Sequence, residues 1–147
     1  MVLAARPSHG KTALAVQIAL HAALEGTGVA FISLEQSGES LGRRAIAFLA
    51  DVNAEEVRLN YVDGEDNWQR VVSSAARVYQ IPFFLWDASA ATTSDLRARL
   101  CELTAREPLG LVVLDYLQLL RFEERSDLRT GVTANVRALK AMAKEFG

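Results

Sequence analysis

Two stretches of this chain hold residues whose types and order suit phosphate chemistry. Ala5-Arg6-Pro7-Ser8-His9-Gly10-Lys11-Thr12 follows the pattern G-x-x-x-x-G-K-[ST], with alanine in place of the first glycine. Such a loop binds phosphate through converging backbone N–H groups, reinforced by the positive end of the helix that follows. Pro7 has no N–H. The donors therefore belong to the second half, which makes Ser8, His9, Gly10, Lys11 and Thr12 the nucleotide-binding residues. Gly10 lets the backbone approach a phosphate with no Cβ in the way. Lys11 reaches the β- and γ-phosphates of ATP, and the Thr12 hydroxyl ligates Mg²⁺. The His9 side chain is read as tolerated in the loop and is given no role of its own. A G-K-T triplet alone also fits an ordinary loop; its place after an apolar run and before a long helix makes it specific.

The second stretch is Leu111-Val112-Val113-Leu114-Asp115, a buried apolar run that ends in a carboxylate. At the C-terminal end of a parallel strand such an acid lies where ligands bind, and Asp115 can hold Mg²⁺ there. Taken alone, an aspartate in that place also serves as a turn cap. Val29 to Leu34 ends in the same way, with Glu35. Two strand-ending acids suggest divided labour, one for the metal and one to orient water, because γ-phosphate hydrolysis depends on a positioned water. Glu35 is the candidate for the water. Gln118, three residues past Asp115, suits contact with the γ-phosphate, and it also suits a solvent-facing loop amide.

These residues need a frame. Val29–Leu34, Pro82–Trp86 and Leu109–Leu114 are short, continuous apolar runs, the pattern of parallel strands buried on both faces. Met1–Ala5 is expected to be a fourth strand. Helical spacing covers Lys11–Glu25, Ser40–Ala50, Asp63–Val78, Asp95–Arg106 and Val132–Phe146. Trp68, Val71, Val72, Ala75 and Val78 are expected on one helix face, and Asn53 with Glu56 suggests a capping box opening a short helix. Strand and helix alternate, which points to α/β architecture with right-handed crossovers. One domain over 1–147, or a piece of one, accounts for the pattern. A bare strand at the start and a helix at the finish suggest a chain truncated at both ends.

Composition removes several classes. The 147 residues suit one domain, and half of them are apolar, enough for a core. Sixteen Lys plus Arg against eighteen Asp plus Glu exclude binding to nucleic acid by bulk charge, although a local basic patch stays open. Cys101 is the single cysteine and His9 and His21 the two histidines, which argues against disulfides and zinc. The apolar stretch Ala13–Leu24, interrupted by Gln17 and His21, is too short to span a membrane, and the start does not read as a signal peptide. A cytoplasmic protein with no membrane partner is expected.

ARPSHGKTALA, FISLEQS and LVVLDYLQLL, in that order and spacing, resemble the motor domain of replicative DNA helicases of the bacterial DnaB family. The resemblance continues through DGEDNWQR, Thr92–Leu96 and Arg137–Lys140, so it spans nearly the whole chain. It implies a RecA-like P-loop fold, a mostly parallel sheet flanked by helices, and ATP-driven movement along single-stranded DNA by a homo-hexamer. It also implies primase and a helicase loader as partners. Lys11 and Thr12 match the Walker A lysine and threonine, Asp115 the Walker B acid, Glu35 the catalytic glutamate, and Gln118 the glutamine linking γ-phosphate to DNA-contacting loops. Ala5 also matches the family, whereas His9 and Gln36 stand where methionine is usual and Gly131 where glutamate is common. Arg121, Arg125, Arg129 and Arg137 suit a loop facing single-stranded DNA, or equally a solvated surface loop. The family's arginine finger and further DNA-binding loops are not among these residues, so little turnover is expected of this chain by itself. Two other readings are a RecA/RadA-like recombination ATPase and a non-catalytic nucleotide-binding remnant or regulator.

Overall fold

A computed structural model describes residues 1–6, 9–122 and 127–146. Its centre is strand β1 (Gly28–Ser33), buried at all six residues. Successive side chains of a strand point to opposite faces, and here helices cover both. Val29 and Phe31 pack with Val16, Ala19, Leu20 and Ala23 of α1 (Lys11–Leu24) and with Leu41 and Ala45 of α2 (Gly38–Ala50). On the other face Ala30, Ile32 and the following Leu34 meet Leu96, Leu100 and Leu103 of α5 (Thr93–Thr104) and Met142 of α6 (Leu128–Glu145). The result is three layers, helix–sheet–helix. A smaller cluster of Ala47, Ala50, Val57 and Val71 joins α2 to α3 (Ala54–Arg58) and α4 (Glu65–Gln80).

The sheet order is β2 (Phe83–Asp87), β1, β3 (Leu109–Asp115), and both pairings are parallel. The register aligns Ser33 with Asp87 on one side and with Asp115 on the other. The ends of all three strands therefore lie level, and the acids that follow or close them share one edge.

Several expectations need correction. Met1–Arg6 forms no strand, and Met1 and Val2 are exposed. A strand persists only where its N–H and C=O groups find a ladder, and none of the described residues provides one there. The sheet accordingly has three strands among the described residues rather than four. Burial on both faces holds for β1 alone. β2 is half-buried, and β3 alternates along much of its length because it stands at an edge. The helix over Asp63–Val78 is present as α4; Val71 is buried and Ala75 and Val78 half-buried on the expected face, but Ser74 is buried with them while Trp68 and Val72 are exposed. Asn53 caps α3 by accepting from the Glu55 N–H at 2.8 Å, without the reciprocal bond expected from Glu56. A complete capping box stands instead at Thr92 and Asp95, opening α5.

After β3 a short 3₁₀ turn, Leu117–Leu119, leads into a segment tied down at three points. The Arg121 N–H donates to Ala91 O at 2.8 Å, and Asn135 Nδ2 donates to Leu120 O at 3.2 Å. The Phe122 ring fills the notch at Gly131, where a Cβ would lie 2.5 Å from it. Glycine at that position is thus a packing requirement of Phe122.

Candidate functional site

The loop and α1 set one end of the candidate site. Gly10 sits at the N-terminus of α1 with φ +75°, a left-handed conformation that glycine adopts at little cost. A Cβ built there would meet no atom within 4 Å, so the glycine serves backbone conformation and open approach, not packing. The Leu14 N–H donates to Gly10 O at 2.9 Å, and the amides before it are those a helix leaves without an internal acceptor. No acidic residue stands in this first turn. The Lys11 ammonium donates to the carbonyls of Ala5 at 2.8 Å and Arg6 at 3.3 Å. The positive end of α1 and the Lys11 ammonium thus bring positive charge to an edge that also carries the strand-ending acids. Pro7 and Ser8, the latter among the residues expected to bind nucleotide, lie outside the described residues.

Thr12 and Asp115 meet although 103 residues separate them. The Thr12 hydroxyl donates to Asp115 Oδ2 at 2.7 Å, and Asp115 is 6% exposed. A hydroxyl and a carboxylate make a hard-oxygen pair. Among the described residues no cluster of three or more His, Cys, Asp or Glu side chains could hold a metal. A cation here would take few protein ligands, which suits Mg²⁺ completed by phosphate and water.

Glu35 follows β1 at the same edge. The Leu34 N–H before it donates to Asp115 O at 2.7 Å, which ties its backbone to the end of β3. Its side chain is exposed and takes no partner among the described residues. Gln118 lies in the 3₁₀ turn after Asp115, past a cis Asp115–Tyr116 peptide bond, and is likewise exposed without a partner among the described residues. The structure thus joins Thr12 to Asp115 directly and Glu35 to Asp115 through the backbone. Lys11 is bonded to its own loop, and Gln118 shares no hydrogen bond with the others among the described residues.

One residue at this edge was missed in the sequence. Asp87 closes β2 and accepts the Gly38 N–H at 2.8 Å, at the start of α2. Its signal is the same as that of Asp115, an acid ending an apolar strand. Reading the strand as stopping at Trp86 hid it.

The sequence pattern of the DnaB-like helicase C terminal domain matches residues 1–147, the whole chain. The chain belongs to that family. Relatives named replicative DNA helicase DnaB include those of Rickettsia felis at 33% identity, Geobacillus stearothermophilus at 34% and Buchnera aphidicola at 37%. Each match covers 99% of this chain but only 32–33% of the relative, so the chain spans about a third of their length. Among solved structures, a DnaB-like replicative helicase studied with its primase interactions superposes with a TM-score of 0.88 at 23% identity, covering 95% of this chain and 34% of that one. A second solved structure, described as an ATPase domain, also gives 0.88, at 24% identity over 95% of this chain and 51% of the other. These likenesses establish the fold. This DnaB-family chain has a RecA-like α/β core of parallel strands flanked by helices. No helix among its described residues is long and apolar enough to cross a membrane.

Proposed function

We propose that residues 1–147 form part of the RecA-like motor domain of a ring-shaped, ATP-dependent replicative DNA helicase. The observation that carries this is the 2.7 Å bond between Thr12 and Asp115, which joins the phosphate-loop helix to the acid-ending strand. Bound at that pair, Mg²⁺ would neutralise phosphate charge and hold the β- and γ-phosphates in register.

The chain's own residues divide the remaining work. The loop amides from Ser8 to Thr12 would bind phosphate oxygens, with the His9 and Gly10 backbone among them. Lys11 would exchange the Ala5 and Arg6 carbonyls for the phosphates, a change favoured because a hydrogen bond between charged partners is stronger than one to a neutral carbonyl. Glu35 would orient the attacking water and accept its proton. Gln118 would sense the γ-phosphate and pass its presence towards the segment that follows. Arg121, Arg129 and Arg137 are exposed on or beside that segment and suit the backbone of single-stranded DNA. Arg125, read with them, lies outside the described residues. A homo-hexameric ring, contacts with primase and a loader, and work in the cytoplasm complete the reading by kinship.

The test is nucleotide binding by the intact native polypeptide. Lys11→Ala should weaken ATP affinity about tenfold or more, the scale of one lost charge-assisted hydrogen bond. Unchanged affinity would show that the loop does not bind phosphate.

A further inference from the structure

Glu35 has no side-chain partner among the described residues, so whatever holds it for chemistry must act through its backbone. Five hydrogen bonds do so. Ser33 is 1% exposed, and its hydroxyl donates to Gln36 O at 2.7 Å while accepting the Gln36 N–H at 3.0 Å. One buried side chain thus closes a turn whose outer residues are Leu34 and Glu35. Next, Asp87 Oδ2 accepts the Gly38 N–H at 2.8 Å, fixing the start of α2 three residues beyond Glu35. Last, the Ala88 N–H donates to Ser33 O at 2.9 Å and the Leu34 N–H to Asp115 O at 2.7 Å, so both neighbouring strands grip the root of the turn.

We infer that Ser33 and Asp87 are positioning residues that fix the backbone of the Glu35 turn, so that an otherwise free carboxylate is presented at one place beside Asp115. The inference rests on the role proposed for Glu35. The chemistry explains the choice of residues. A serine hydroxyl donates and accepts at once, which a buried turn with both a C=O and an N–H to satisfy requires. The Asp87 role needs an acceptor oxygen at one place and not a negative charge, so asparagine should replace it. A group that bound metal or phosphate-linked water through its charge would not tolerate that exchange.

The experiment compares Ser33→Ala, Asp87→Ala, Asp87→Asn and Glu35→Gln in the intact polypeptide, with DNA-stimulated ATP hydrolysis and nucleotide affinity as readouts. Misplacing a catalytic group by about 1 Å can cost about a hundredfold in rate. Ser33→Ala and Asp87→Ala should therefore lower kcat by about tenfold or more while KM for ATP stays within about twofold, and Asp87→Asn should restore most of the rate. In the Glu35→Gln background, adding Ser33→Ala or Asp87→Ala should cause little further loss, because the group they position is already disabled. Should Ser33→Ala fail to fold, the two Asp87 variants decide alone. The clamp is overturned if Glu35→Gln abolishes turnover while Asp87→Ala leaves kcat unchanged, if KM rises in place of the fall in kcat, or if Asp87→Asn is as slow as Asp87→Ala. A separate pattern, in which Glu35→Gln itself leaves kcat unchanged, overturns the role of Glu35 and the clamp with it.

Discussion

Thr12 shows how much one hydroxyl decides at this site. It is partly buried, and its donor is satisfied by a carboxylate that is almost wholly buried. Removing it would strand one oxygen of Asp115 in an environment where an unmade hydrogen bond costs about 1–3 kcal/mol. Thr12→Val should lower the denaturant midpoint accordingly, whereas Thr12→Ser, which keeps the oxygen, should stay close to the parent. An equal loss in both variants would place the cost on the methyl group and its packing. Lys11 stands in contrast. Its acceptors are backbone carbonyls 2.8 and 3.3 Å away, neutral groups that the lysine can leave for an anion without stranding a buried charge. The residue that must stay and the residue that must move are adjacent, and their partners differ in charge.

At the scale of elements, the helix entrances carry a pH dependence. The Asp95 carboxyl is held below the usual range by the Thr92 backbone N–H and then by the Thr92 hydroxyl, and Asp127 is lowered likewise by the Thr130 N–H and hydroxyl. A carboxyl depressed in the folded state stabilises it above the unfolded pKa and loses that contribution as pH falls through the folded value. The entrances of α5 and α6 should therefore weaken below about pH 4, the ordinary aspartate range. Asp95→Ala should lower the denaturant midpoint at pH 7 and approach the parent near pH 2; a constant gap at both pH values would rule out the carboxylate as the cause.

The same elements show what a sequence reveals. The Lys11–Leu24 helix and the central strand were legible because local motif and burial agree there, and the Leu109–Asp115 strand was legible as a strand although not in its burial. The face of α4 was legible in part: Val71, Ala75 and Val78 turn inward, but Trp68 and Val72 are left outside while small Ser74 goes in. Asp87 was overlooked because the polar run Asp87–Asp95 reads as loop from its first residue, and only strand register brings that residue level with Ser33. Lys11, Thr12, Glu35, Asp115 and Gln118 could be singled out by spacing and kinship. The grouping of Thr12, Asp115 and Glu35, through the Thr12 hydroxyl and the backbone of Leu34, is a tertiary fact that no local pattern carries.

Across the whole molecule, stability should follow the order of the sheet. β1 has a neighbour on each edge and helices on each face, and none of its residues reaches solvent. β3 has β1 on one side only, and Val112 is 42% exposed. Amides released only by global unfolding are the last to exchange, whereas those at an open edge exchange through local opening. In the 147-residue chain the N–H groups of Val29–Ser33 should thus be the slowest to take up deuterium. Those of β3 should divide, with the amides bonded to β1 slow and the intervening ones fast. Hydrogen exchange read residue by residue would check this, and uniform protection along β3 would mean that another strand pairs with its outer edge. The outcome bears on function, because Asp115 ends β3 while Glu35 is carried by β1. If the strand that ends in Asp115 is the looser of the two, pairing on its outer edge would be a direct means of steadying Asp115 relative to Glu35.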